Sequence, residues 1–239
     1  RSTLFPYTTL FRSSTDRLLI AGTNLEIAST QYLSVKIDKP GSITIPARLV
    51  SEFISNLPND IVNLEVEKDH LKITSGNFSS IINGIVADEF PELPTVDSKE
   101  SVSVQLPIED LKKAISQTKI AVSSDMSRPV LTGVYWHTYE GFLYLAATDG
   151  YRLAEKRLIK TDIELSAVIP ASTLNEVVKS IDDTSDVKII FDESQVCFKT
   201  DNIEIISRLI DGRFPDYRQL IPDKSETEIR INKADFAQY

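Results

Sequence analysis

The chain has 239 residues, 41% hydrophobic and 26% charged, with a formal net charge of −9. That balance is ordinary for a folded globular protein, and with no run approaching about eighteen apolar residues and no leader pattern, membrane insertion and secretion are not expected and a cytoplasmic location is. Cys197, the single cysteine, builds neither a disulfide framework nor a zinc site. In the alternating stretch QVCFKT it is expected as a buried strand residue. The acidity argues at first sight against nucleic acid, unless the charge is unevenly placed.

In chain order, residues 1–13 (RSTLFPYTTLFRS) do not share the pattern of the remaining residues and resemble the translation of a sequencing adaptor. They are set aside as a non-native segment, and the fold is expected to begin near Ser14. ITIPARLVSEFISNL (43–57) places Leu49, Val50, Phe53, Ile54 and Leu57 on one face of a helix that has a proline near its start. VNLEVEKDHLKITS (62–75) alternates around an acid-rich turn, a hairpin pattern. PIEDLKKAISQTKIAV (107–122) is a second amphipathic helix, burying Leu111, Ile115 and Val122 and setting Lys112, Ser116 and Lys119 opposite, with Lys113 alongside. AVIPASTLNEVVKSI (167–181) is a third, with Leu174, Val177, Val178 and Ile181 inward, and VKIIFDESQVCFKT (187–200) is a second hairpin.

These elements come in matched pairs. LLIAGTNLEIA (18–28) returns as LYLAATDGYRLA (143–154), and VSVQLPIEDLKKAI (102–115) as TEIRINKADFAQY (227–239). Pro46 and Pro170 are 124 residues apart, and so are Pro91 and Pro215. Four matches in one order define a repeat. Residues 14–100 form a first unit, 101–224 a second, and 225–239 the opening of a third. Each reads as an α+β layer of antiparallel strands with two helices on one face. The helices are nearly neutral, Arg48 offsetting Glu52 and Lys179 offsetting Glu176, so strands and loops carry the acidity. The copies differ at two places: TNLEIA against the one-residue-longer TDGYRLA, and FPELP against the four-residue-longer FPDYRQLIP. Only the second unit carries both expansions, which marks them as a candidate local function. Phe214 is exempt, since Phe90 repeats it, and is expected in the core.

TDGYRLA, the helix-opening IPA and LIDGRFPDYRQLIP together resemble the bacterial β sliding clamp family, the DNA polymerase III β subunit, from Ser14 to Tyr239. The resemblance implies a DNA-clamp fold: repeated domains with antiparallel sheets outside and helices lining a hole, closed as a head-to-tail homodimer around double-stranded DNA without sequence preference. A threaded ring needs only weak phosphate contacts, which reconciles an acidic chain with DNA. It further implies a processivity factor with no catalytic residues, metal or cofactor. Its partners would be the DNA polymerase III catalytic subunit, the clamp loader, and other polymerases and repair proteins, held through short hydrophobic motifs. The implied peptide pocket comprises Leu131, Thr148, Gly150, Tyr151, Arg152, Leu153, Pro215, Gln219 and Leu220. Each buried leucine or phenylalanine anchor would contribute roughly 1.5–3 kcal/mol, giving affinities around the micromolar range after association costs. The DNA-facing candidates are Arg48, Lys112, Lys113, Lys119 and Arg128. The chain departs from the family at Ala171 and Ser172, where many members are basic, and at Gln219, where some have arginine. With the first strand and helix of domain one and most of domain three outside the sequence, the fragment is expected not to close a ring.

Two other readings compete. Asp149, Tyr151 and Arg152 suggest acid–base chemistry, and Asp149, Asp211 and Asp216 a metal-dependent hydrolase, but no phosphate loop, HExxH or nucleophile elbow accompanies them. His70 and His137 are expected in a hairpin turn and a strand, without partners. A repeat scaffold that binds proteins but not DNA is the second alternative.

Overall fold

The computed structural model describes residues 8–14, 16–96, 101–182, 186–222, 224 and 226–237. The first unit runs β1 (Thr8–Ser14), β2 (Arg17–Thr23), β3 (Ile27–Ser34), β4 (Ser42–Pro46), α1 (Ala47–Ser55), β5 (Asn63–Glu67), β6 (His70–Ser75) and β7 (Phe78–Asn83). The second runs β8 (Val102–Pro107), α2 (Ile108–Lys119), β9 (Gly133–Tyr139), β10 (Phe142–Thr148), β11 (Leu153–Lys160), β12 (Ser166–Pro170), α3 (Ala171–Ser180), β13 (Asp186–Phe191), β14 (Gln195–Lys199) and β15 (Ile203–Arg208). A short helix, α4 (Lys233–Phe236), stands in the opening of the third.

The strands form three antiparallel sheets, ordered β4-β1-β2-β3-β15-β14-β13-β8, β11-β10-β9-β12 and β5-β6-β7. The eight-stranded sheet crosses the boundary between units through β3 and β15, with Ile205 opposite Ser29 and Ile206 opposite Ala28. Each of α1, α2 and α3 is entered from a strand through a proline, Pro46, Pro107 or Pro170, whose backbone is still extended. Proline holds φ near the helical value and lacks the N–H that a first turn leaves unpaired, so it suits that junction. Glu109 and Asp110 in the first turn of α2 and Lys119 in its last complement the helix dipole.

Alternation fixes the two faces of the β9–β12 sheet. Val134, Trp136, Leu143 and Leu145, all fully buried, join Leu111, Ile115, Leu174 and Val177 of the helices in one core. The opposite face carries Tyr135, His137, Tyr144, Ala146 and Glu155, and there the segment after β15 lies as a strap. Cys197 is buried as expected, and burial pushes its thiol pKa up to about 12.

Two expectations need correction. Residues 8–13, within the segment 1–13 set aside on sequence grounds, form β1 together with Ser14: Leu10 and Phe11 are buried on opposite faces between β2 and β4. A Thr-Thr-Leu-Phe stretch has the β-branched and aromatic content a central strand requires, so the ordered fold begins before Ser14. The inward stripe of α1 is also only partly inward. Val50 is buried and Phe53 half-buried, but Leu49 is 53% and Ile54 40% exposed. In the second unit α2 packs beside α3; among the described residues of the first unit, α1 has no such neighbour.

Candidate peptide-binding site

The strap begins where β15 ends. Ile210 N–H bonds to the Val168 carbonyl, and Gly212, at φ +125°, turns the chain over Val130. A side chain there would meet Val130 Cγ1 at 2.7 Å, so the turn requires glycine. Phe214 then drops into a cluster with Leu131, Ala146, Val168 and Tyr217, as its repeat partner Phe90 does with Leu10, Ala21 and Ala87.

Beyond Phe214 lies a network that sequence reasoning missed. Phe214, Tyr135 and His137 stack in succession with ring centroids 4.7 Å apart, and His137 continues onto Tyr144 at 5.7 Å. Tyr217, 3% exposed, donates its hydroxyl proton to Glu155 Oε2 and accepts from His137 Nε2–H at 2.7 Å. Arg218 places its guanidinium over Tyr139 at 4.0 Å and Tyr144 at 4.5 Å and reaches Glu155 Oε2 at 2.8 Å. Burial, and after it the Arg218 charge, lowers the His137 pKa; burial, and then Glu155, raises that of Tyr217. Both side chains are thus held neutral. His137 has partners, contrary to expectation. The available signal was the i, i+2, i+4 run of Tyr135, His137 and Tyr139, which puts three rings on one face of a strand.

The pocket candidates fall as follows. Thr148 and Leu153 are cross-strand partners, in register with the Ala146–Glu155 pair to which Tyr217 is fastened. The two expansions therefore share one sheet face. Leu131 lies 5% exposed in the cluster beneath the strap, a floor more than a wall. Gly150 takes φ +92°, and Tyr151 and Leu220 are 100% and 78% exposed. Pro215 and Gln219 are exposed as well, Gln219 bonding to Asp216 at 2.6 Å. Arg152 is not free but pairs with Asp149 at 2.9 Å. On the strap's other side, Pro215 and Gln219 also border a cavity of about 1110 Å³ reaching Ser166 and Gln195.

The basic candidates are scattered. Lys113 is exposed on α2, whereas Lys112 and Lys119 are half-buried, Lys119 donating to Asn175 of α3. The stripe expected to face away from the core thus leans toward the neighbouring helix. Arg48 pairs with Glu52 at 2.7 Å, and Arg128 lies off the helices, in the turn leading to Leu131.

The acid–base reading loses its footing. Asp149 accepts the backbone N–H groups of Tyr151 and Arg152, which hold its pKa below the usual value, and its task is to shape the turn. Among the described residues no three His, Cys, Asp or Glu side chains converge as metal ligands.

A duplicated α+β module with a continuous sheet across the joint, helices on one face and a strap on the other defines a clamp-type fold. The patterns of the DNA polymerase III beta subunit match it unit by unit, the N-terminal domain over residues 8–94 and the central domain over 105–216. The chain belongs to the bacterial β sliding clamp family. The beta sliding clamp of Bacillus subtilis (strain 168) is 38% identical over 95% of this chain, and that of Staphylococcus aureus (strain Mu50 / ATCC 700699) 37% over 84%. The chain spans 63% and 54% of the length of those relatives. The solved Bacillus subtilis DNA polymerase sliding clamp superposes with a TM-score of 0.90 at 36% identity, covering 99% of this chain and 65% of that one. A DnaN sliding clamp from Bartonella birtlesii, solved bound to griselimycin, gives 0.89 at 26%, covering 100% and 66%.

Proposed function

We propose that the protein containing this chain is a processivity factor of the bacterial replicative polymerase: a non-enzymatic ring that encircles duplex DNA and tethers polymerases and the clamp loader by short hydrophobic peptides. The observation that carries the reading is that Tyr217 and Arg218 fasten the longer strap to Glu155, one residue past the other expanded segment, on the sheet face that also carries Thr148 and Leu153. Leu153, Leu220 and Tyr151 supply apolar surface that the chain itself leaves uncovered, the usual sign of a docking site. Gln219 and Arg152 supply polar groups at its edge. Griselimycin bound to related clamps adds support for a ligand site in this family.

The joint between units supports the ring. β3 of the first unit pairs with β15 of the second. Translated by the repeat, the free edge of β11 would take the corresponding strand of a third unit, and β7 would offer the complementary edge. Continued head to tail, that rule gives a ring where the rotation closes, and the closure proposed is a homodimer. Arg48, Lys112, Lys113 and Lys119 would meet the duplex weakly, and Arg128 would lie at the rim.

The test is a titration of the full-length protein with a fluorescent peptide ending in a hydrophobic pair. Leu153→Ala and Leu220→Ala should each weaken binding at least about tenfold, on the scale of one lost anchor. Unchanged affinity in both would overturn the docking reading.

A further inference from the structure

The strap has a problem at its outer end. Past Tyr217 and Arg218, Gln219, Leu220 and Ile221 are exposed, Leu220 by 78%, so burial of their own side chains does not hold them. Apart from the Gln219 bond to Asp216, their fixation falls to their two predecessors. Both are fastened from several directions at once, Tyr217 by His137 and Glu155, and Arg218 by Glu155, Tyr139 and Tyr144.

The first unit supplies the control. Leu10 lies opposite Ala21 and Arg12 opposite Leu19, as Tyr135 lies opposite Ala146 and His137 opposite Tyr144. Ala21 then pairs with Thr30 as Ala146 pairs with Glu155. So Leu10, Arg12, Leu19 and Thr30 occupy the sheet positions of Tyr135, His137, Tyr144 and Glu155. Its strap, FPELP, has neither a tyrosine nor an arginine. Fastener and receiving groups are present together or absent together.

We infer that Tyr217 and Arg218, with Glu155 and His137 beneath them, are positioning residues for the docking site, holding Gln219 and Leu220 on the Leu153 side of the sheet before a partner arrives. This rests on the docking reading proposed for the same face and deepens it. A loop already ordered loses less conformational entropy when its ligand binds, so the fastener raises affinity without touching the peptide. Arginine suits the place because its guanidinium sits over the rings of Tyr139 and Tyr144 while reaching the Glu155 carboxylate; a lysine ammonium keeps the charge but not the delocalised plane.

The experiment uses the full-length protein, with a nitroxide on Ile221→Cys as a reporter of the strap and other accessible cysteines replaced by serine; Cys197, 2% exposed, does not compete. Arg218→Ala should sharpen the spectrum to that of a mobile label and weaken the peptide about tenfold, a change that strap ordering can supply. Arg218→Lys should recover part of both effects, while ring assembly and Tm stay at the parental values. If Arg218→Ala does not fold, Tyr217→Phe, which removes one oxygen, carries the test in the same direction. Affinity unchanged while the parent binds, or a mobile label with full affinity, overturns the inference. A parent that does not bind the peptide sinks the docking reading instead.

Discussion

The straps of the two units begin alike and end differently. Each buries a phenylalanine, Phe90 or Phe214, against the outer sheet face and each follows it with proline. After that the first strap packs Leu93, half-buried, onto the same apolar cluster, whereas the second uses four more residues to grip the sheet through a tyrosine and an arginine. A duplicated fold can therefore keep one copy as a spacer and convert the other into a site without altering its strands. On the proposed docking reading, new function would reside in loop length and in a few outward side chains, while the inward ones keep the module folded.

The largest expected effect tests the cores of the two units. Leu174→Ala, at a fully buried position of α3, should cost about 2–5 kcal/mol in urea denaturation. Ile54→Ala on α1, 40% exposed, should cost under about 1 kcal/mol. The reverse order would break the contrast between a covered and an uncovered helix. Next come the glycines. Gly212→Ala should destabilise by more than about 1 kcal/mol, since the turn demands φ +125° and Val130 blocks the new methyl. Gly22→Ala in the first unit meets nothing within 4 Å and should be neutral or slightly stabilising.

The smallest effect is a pH dependence confined to the second unit. The His137 pKa lies below its ordinary 6.5 because of burial and the nearby Arg218, with Glu155 acting the other way. The unfolded chain therefore takes up the proton first as pH falls. Stability from the neutral imidazole is complete above about 6.5 and declines as pH drops through the folded-state value. Hydrogen exchange should show this loosening around Tyr217 and not around Phe90, and His137→Gln should flatten it. An equal pH response in both straps would remove the distinction.

The repeat, the hairpins and the three helices were legible because each depends on local periodicity and on prolines at fixed offsets. The meeting of the two expansions was legible only through the resemblance, since sequence spacing does not say which strands pair. Leu131, named among the pocket residues, is instead buried beneath the strap, because a leucine in a 3₁₀ turn has no period from which to read its direction. The fastener stayed hidden for a related reason. Glu155, His137 and Tyr217 come from β11, β9 and the strap, and only the sheet register sets them against one another. The strand at residues 8–14 was missed because its likeness to an adaptor outweighed the β-branched and aromatic content of Thr8 to Phe11.

The sheet that passes from β3 to β15 also has a mechanical meaning. The same kind of antiparallel ladder that joins strands within a unit also joins the two units, so the seam resists shear through backbone hydrogen bonds. If the strap holds a partner as proposed, a pull there would spread through the ladder into the neighbouring unit.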